Sequence, residues 1–219
     1  MTKVYILGAG NHATELSEYI GATPNFSIEG YIVNVEDQNN HSRFEQQTLF
    51  IEDFLTQVSP SNDIKIISGF SDLKRKPFIE LLEQKGYQFI NVIHPHNYIS
   101  PSITIGTGNC IAPNCVINTN VSIANHCIIN ANCSVSHDCV IENYATISPG
   151  VTLAGNVRIG ENVFIGSGAT IIPNITVARG AYIAAGACVT KDVPADVMIA
   201  GVPAKIKKDL IPMITNIFR

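Results

Sequence analysis

The chain has 219 residues, 46% hydrophobic and 15% charged, a balance that fits a compact body and excludes a disordered one. A formal net charge of −4 leaves no basic field for nucleic acid or an anionic membrane, so neither is expected as a partner. No apolar run is long enough to span a membrane and MTKVYILGAG lacks the features of a secretory signal, which makes the cytoplasm the expected location.

Lys3–Leu7 reads as a first strand, ending in the turn Gly8-Ala9-Gly10-Asn11-His12-Ala13. A helical pattern through Leu16, Tyr19 and Ile20 follows. Ile28–Val33 reads as a second strand, Asp37–Ser42 as a mobile loop, Ile51–Val58 as a short helix, and Ile64–Ile67 as a third strand ending at Ser68-Gly69. Leu73–Gln84 has helical spacing with Gly86 as its stop, and Tyr87–Ile93 reads as a fourth strand. Strands alternating with helices predict a parallel sheet with helices on both faces, an α/β Rossmann-like domain over 1–93. His94-Pro95-His96 opens a linker over 94–98, held extended by its proline.

From Ile99 the grammar changes. An aliphatic residue recurs every six positions, through Ile105, Ile111 and Ile117 to Ile183 and Val189, without a break. A helix would scatter that period around its circumference. Four places after each aliphatic the residue is mostly small or β-branched, and Gly, Asn, Pro and Asp crowd between, as corners demand. Three such sides close a triangular coil of about 18 residues, so 99–194 holds about five stacked coils of a parallel β-helix. Lys191–Pro194 leaves this solenoid. Residues 195–219 form a C-terminal extension, in which Ile206–Arg219 is expected to be helical and to cap the last coil.

The six cysteines fall into the same phases. Cys115, Cys127, Cys133 and Cys139 share one slot, Cys110 and Cys188 another, and no CxxC pair occurs. They read as small packing residues rather than disulfides or metal ligands.

Two places carry chemistry. Gly8-x-Gly10-x-x-Ala13 matches a phosphate-binding turn, in which glycines let backbone N–H groups approach an anion at a helix N-terminus. A nucleotide diphosphate is the preferred ligand, a plain strand-to-helix turn the alternative. NAD is disfavoured because the second strand ends at Asn34 and not at an acidic residue. The second place is His137, two positions after the aliphatic slot in Ser134-Val135-Ser136-His137-Asp138-Cys139. A histidine among small residues on a coil is a candidate general base. His126 lies in another phase and reads as a packing or solvated residue. His41, His94 and His96 carry no functional claim.

GAGNHATEL at the first turn, SVSHDC and AGNVRIG in the solenoid, and AGVPAK near its end together resemble the bacterial nucleotide-aminosugar N-acetyltransferases. These belong to the hexapeptide-repeat acyltransferase superfamily, in the bacillosamine and sialic-acid O-acetyltransferase group. The resemblance implies a left-handed winding, a homotrimer with active sites between subunits, and acetyl transfer from acetyl-CoA without a metal. The acceptor it implies is the C4 amine of a nucleotide-linked 4-amino-4,6-dideoxysugar, UDP-linked by preference, in bacterial surface glycan biosynthesis. By the same resemblance His137 is the base with Asp138 as its acidic neighbour. Gly8, Gly10, His12, Asn34, Gly69 and Asn130 fall to the sugar nucleotide. Thr146, Gly155, Ser167, Ala185, Gly186 and Lys205 fall to acetyl-CoA.

The chain departs from those relatives at Thr146, where some carry a second histidine, at Asn34, where they carry an acid, and at Asp138, where Glu is common. Neighbours on a strand face opposite sides, so Asp138 reaches His137 only if the backbone turns there. The alternatives are O-acetylation of sialic acid or a related sugar, a non-catalytic or metal-binding β-helix, and an NAD-binding reductase.

Overall fold

The computed structural model describes residues 1–34 and 47–210. The expected loop Asp37–Ser42, His41, and the tail beyond Leu210 lie outside the described residues. Two compact units divide the chain, Met1–Pro95 and His96–Arg219.

The first unit runs β1 (Thr2–Leu7), α1 (Asn11–Gly21), β2 (Phe26–Val33), β3 (Gln47–Phe50), α2 (Ile51–Gln57), β4 (Ile64–Ser68), α3 (Lys76–Gln84) and β5 (Gln88–Phe89). Its sheet is parallel throughout, in the order β3-β2-β1-β4-β5. Val4, Ile6, Ile32 and Ile66 in the strands and Leu16 and Leu82 in the helices are fully buried. The strand order reverses between β1 and β4, and ligands of open α/β sheets bind at the carboxyl ends of strands at such a switch point. Gly8 and Gly69 follow β1 and β4 directly.

Three elements differ from the sequence reading. β3 is an additional edge strand, only four residues long, whose one buried side chain among those described is Leu49. The expected helix from Leu73 begins as a 3-10 turn, Leu73–Arg75, in which Asp72 accepts from the Lys74 N–H at 2.7 Å. α3 starts at Lys76 with Pro77 in its first turn, where a missing N–H costs nothing. The expected strand Tyr87–Ile93 is two short pieces, Gln88–Phe89 and Val92–Ile93.

The second unit is a solenoid of two-residue strands in three parallel walls. One wall stacks Tyr98–Ile99 through Cys188–Val189, the next Thr104–Ile105 through Thr176–Val177, and the third includes Cys110–Ile111 through Tyr182–Ile183. Val116 pairs with Ser134 and Ser134 with Thr152, so one coil is 18 residues. The aliphatic slot points inward: Ile117, Val135, Ile147 and Ile159 are fully buried. Every sixth residue from Gly108 to Gly186 has a positive φ, and these are the corners. Most are Asn, Asp or Gly, the types that tolerate that conformation. His126 and Tyr144 occupy corners too, and their rings stack with centroids 5.2 Å apart and planes 12° apart.

All six cysteines are free, and five are buried. The thiols of Cys115, Cys127, Cys133 and Cys139 each donate to a carbonyl 15 residues ahead, on Asn130, Glu142, Ser148 and Ala154, at 3.1–3.2 Å. The winding does not stop at Pro194. Val193 bridges to Val177, and Val197–Ala200 pairs with Tyr182–Ile183, with a spacing of 16 residues instead of 18. Lys205–Asp209 then returns as an antiparallel strand against Val197–Ala200, which corrects the expected helix from Ile206 for the residues described.

Coil-to-coil contact leaves no room at some glycines. A Cβ on Gly166 would lie 2.5 Å from the Ala185 nitrogen, which is backbone and cannot yield. Gly166→Ala is therefore expected to cost about 1–3 kcal/mol, as overpacked sites do. Replacing the neighbouring exposed Ser167 by Ala should cost less than about 0.5 kcal/mol. Thermal unfolding of both variants checks the pair.

Candidate active site

His137 follows the Ser134–Val135 strand, and Asp138 is the corner. At φ +59 the Asp138 backbone turns, and its Oδ2 comes to 2.8 Å from His137 Nδ1. The strand rule that would have faced the two apart does not govern a corner. Hydrogen bonding from His137, then from Asn120, holds the Asp138 carboxyl below the usual aspartate range. An ionised carboxylate accepts, so in the neutral ring this contact favours the hydrogen on Nδ1 and a lone pair on Nε2. The imidazole is half exposed and lies over Gly155, one coil on, where a Cβ would sit 2.6 Å from Cε1 and 2.7 Å from Nε2. Glycine is what makes room for the ring. Cys139, two residues away, offers no nucleophile: its thiol is buried, donates to the Ala154 carbonyl, and is pushed up by burial.

Farther along the axis, Ser167, Ala185 and Gly186 are exposed, and the Gly186 N–H donates to the Ser167 carbonyl at 2.9 Å. A Cβ on the corner glycines Gly168 or Gly186 would meet nothing within 4 Å, so the backbone is bare there. The turn Gly201–Ala204 is pinned to the last coil. Cys188 N donates to Gly201 O at 3.0 Å, and Ala204 N to Cys188 O at 2.7 Å. Lys205, next in sequence, is exposed. Asn130 is half-buried and its amide donates to the Ile147 carbonyl at 3.2 Å. Thr146 is 1% exposed, which leaves its side chain no surface to offer a ligand in this chain.

In the first unit the glycine turn has the local geometry its sequence demands. Gly8 has φ +109, a conformation that excludes most side chains. Gly10 is the residue before α1 and accepts from the Thr14 N–H. Ala13 packs against Gly69, where a Cβ would lie 2.8 Å from the Ala13 Cβ and 2.7 Å from Ile6 Cγ2. His12 is buried, with Nδ1 3.6 Å from Glu15 Oε2 and, among the described residues, no hydrogen-bond partner for Nε2. Asn34 is half-buried just beyond β2.

Sequence reasoning passed over three residues. Ser68 ends β4 with its buried Oγ unpartnered among the described residues, and Arg75 is 1% exposed with Nη1 donating to the Asp72 carbonyl. Nothing in the sequence separates Arg75 from the flanking Lys74 and Lys76. Asn120 was within reach, since it stands one coil of 18 residues before Asp138. Among the described residues no group of three or more His, Cys, Asp or Glu is placed to hold a metal ion, and no helix is long and apolar enough to cross a membrane.

The bacterial transferase hexapeptide (six repeats) model matches residues 120–155 and 156–191. Among solved structures, the acetyltransferase domain of PglB from Neisseria gonorrhoeae is 27% identical, covers 94% of this chain and 100% of its own, and superposes with a TM-score of 0.83. That domain has also been solved with acetyl coenzyme A. PerB from Caulobacter crescentus, solved with CoA and GDP-perosamine, is 28% identical over 94% of this chain and 97% of its own, with a TM-score of 0.86. WeeI from Acinetobacter baumannii is 28% identical over 94% and 100%, with a TM-score of 0.83. No curated protein sequence matches the chain. The repeats and these neighbours make the fold a left-handed parallel β-helix with an N-terminal α/β region.

Burial lowers the His12 pKa from 6.5, Glu15 opposes that, and Arg75 adds to it. Below the ordinary histidine value the unfolded chain takes up a proton that the folded chain resists. Stability from this site is thus present above about pH 6.5 and is lost as the pH falls toward the lowered folded value. His12→Asn removes the dependence. The Tm advantage of wild type over the variant should shrink between about pH 7.5 and pH 5.5, and thermal melts at the two values check it.

Proposed function

We propose that this protein, a hexapeptide-repeat transferase whose structural neighbours are sugar N-acetyltransferases, transfers acetyl from acetyl-CoA to the amine of a nucleotide-linked amino sugar. The acceptor nitrogen is the C4 amine of a 4-amino-4,6-dideoxysugar, with the UDP-linked sugar the first expectation and the GDP-linked sugar its competitor. The carrying observation is the His137–Asp138 contact at 2.8 Å with Nε2 turned outward over Gly155. A histidine fixed on one nitrogen and open on the other is built to take a proton.

In the proposed reaction the neutral amine attacks the thioester carbonyl while His137 Nε2 accepts the proton the nitrogen sheds. Asp138 stabilises the imidazolium that results. Collapse of the tetrahedral adduct breaks the C–S bond, and the proton on Nε2 passes to the departing sulfur. The N–H of Gly155 is the candidate donor to the developing oxyanion. Ser167, Ala185 and Gly186 line the pantetheine arm, and Lys205 meets the adenosine phosphates. Gly8, Gly10, His12, Asn34 and Gly69 take the nucleotide diphosphate and its sugar, with Asn130 beside the acceptor. The buried Thr146 is left out of this assignment. A single solenoid wall offers a long cosubstrate only a shallow groove, so the active species is expected to be a homotrimer with the donor lying between solenoids. It is placed in the cytoplasm, where acetyl-CoA is made available.

Thiol release from acetyl-CoA across UDP- and GDP-linked 4-amino-4,6-dideoxysugars and their 4-hydroxy analogues tests the substrate class. Turnover of the hydroxy compounds alone would make the protein an O-acetyltransferase. His137→Ala should lower kcat by about 10²–10⁴-fold with little change in KM; near-full turnover would overturn the assignment. Gly155→Ala, which pushes a methyl into the imidazole, should lower kcat by about tenfold or more because small misplacements of a catalytic group are costly. Sedimentation should show three chains per particle, and an active monomer would remove the intersubunit site.

A further inference from the structure

We infer that Asn120 is a positioning residue of the His137 site: its side-chain amide fixes one oxygen of Asp138 so that the other oxygen holds His137 Nδ1. The inference rests on the reading of His137 as the base. It stands on a three-residue chain of contacts. Asn120 Nδ2 donates to Asp138 Oδ1 at 3.2 Å, and Asp138 Oδ2 is 2.8 Å from His137 Nδ1. The two carboxylate oxygens are thus divided between two partners, one in the coil before and one in the same turn.

Asn120 is itself held. Its backbone N–H donates to Ser102 Oγ at 3.0 Å, and Ser102 Oγ lies 2.9 Å from Ser100 Oγ. Ser100 is buried. Asn120 and Asp138 are both corner residues with φ +59, so neither is free to swing its Cα–Cβ bond without undoing a corner. Such a chain matters for an aspartate more than for a buried group. The Asp138 side chain is 46% exposed and that of His137 57%, so water competes for each lone pair. A carboxylate with one partner rotates about χ2; one gripped on both oxygens does not. Among the described residues the two grips on the Asp138 side chain are His137 Nδ1 and the neutral amide of Asn120.

The consequence is read on the imidazole itself. Neutral histidine in water prefers its hydrogen on Nε2, and the bond to Asp138 reverses that preference. If Asn120 sets the carboxylate, losing its amide moves the ring back toward the Nε2–H form. Glycine is the right replacement at both corners, because it keeps the left-handed backbone that alanine would strain. Imidazole nitrogen NMR on isotope-labelled histidine in the full chain, with His137 assigned from a His137→Gln variant, reads the tautomer without any substrate. In wild type the Nδ1–H form of His137 should dominate. Asn120→Gly should change the tautomer ratio by about twofold or more toward Nε2–H. Asp138→Gly should change it further, and adding Asn120→Gly to Asp138→Gly should change nothing, since a residue that acts through another has no effect once that other is gone.

Asn120→Asp supplies a second variant. A carboxylate in place of the amide cannot donate to Asp138 Oδ1, so the His137 tautomer ratio should again move toward Nε2–H. An unchanged tautomer ratio in Asn120→Gly, or a double variant that differs from Asp138→Gly, overturns the inference. Both results leave the base assignment untouched, which stands or falls on turnover by His137→Ala. Equal Tm values for wild type and Asn120→Gly keep the comparison free of a folding defect; if the variant unfolds, Asn120→Asp, which keeps the corner residue type, carries the test.

Discussion

One backbone constraint organises the solenoid. Every sixth residue from Gly108 to Gly186 enters the left-handed region, a conformation that costs an ordinary L-residue roughly 1–2 kcal/mol. Asn and Asp bear it best and glycine bears it freely, so the corners restrict composition as strongly as the core does. The aliphatic slot sits three residues before each corner and points to the axis. Three corners close a coil, and each position lies against its counterpart 18 residues away. The proposed base derives its geometry from the same rule. Asp138 is a corner residue that happens to be ionisable, and the turn that closes the coil also swings its carboxylate back onto His137.

How much of this was readable depends on whether a feature repeats. The aliphatic period is legible because burial recurs at a fixed interval, and the cysteines are legible as packing residues because they share a phase. Asp138 was harder. Read as the next residue on a strand it faces away from His137; read as a corner it faces toward it. Only the backbone angle decides, although the corner phase was present in the Asn, Gly and Asp that recur at Asn120, Asn132, Asp138 and Gly150. Asn120 was hidden for a simpler reason. The 18-residue interval that ties His137 to Gly155 forwards also ties Asp138 to Asn120 backwards. His126 and Tyr144 show the limit of composition: two aromatic residues occupy corners where no aromatic is expected, and their stacking at 5.2 Å offsets part of the cost.

The first unit was legible where glycine is obligatory and obscure where polar groups are buried. Gly8 needs its positive φ, and Gly69 needs its missing Cβ for Ala13 and Ile6, so both carry a signature in sequence. Ser68 and Arg75 carry none, since a buried polar side chain has no period and its neighbours look the same. Short strands escape for want of length. β3 spans four residues and β5 two, less than is needed to show an alternation. The strand Lys205–Asp209 escapes because every side chain in it is exposed; it exists through its backbone ladder with Val197–Ala200, which hydropathy cannot report.

On the proposed reading the two units contribute different things to catalysis, in keeping with the burial of their polar groups. His137 and Asp138 are about half exposed, so water satisfies them and binding there gains little. Among the described residues His12 Nε2 and Ser68 Oγ are buried without partners at the switch point of the sheet. Leaving such an atom unsatisfied costs about 1–3 kcal/mol, which a ligand with matching polar groups recovers on binding. On that reading acceptor affinity comes mainly from the small unit and proton transfer from the solenoid wall. An enzyme divided in this way can change its sugar by altering a few buried residues beside Gly8 and Gly69 while the corner that sets its base, fixed by the closure of the coil, stays as it is.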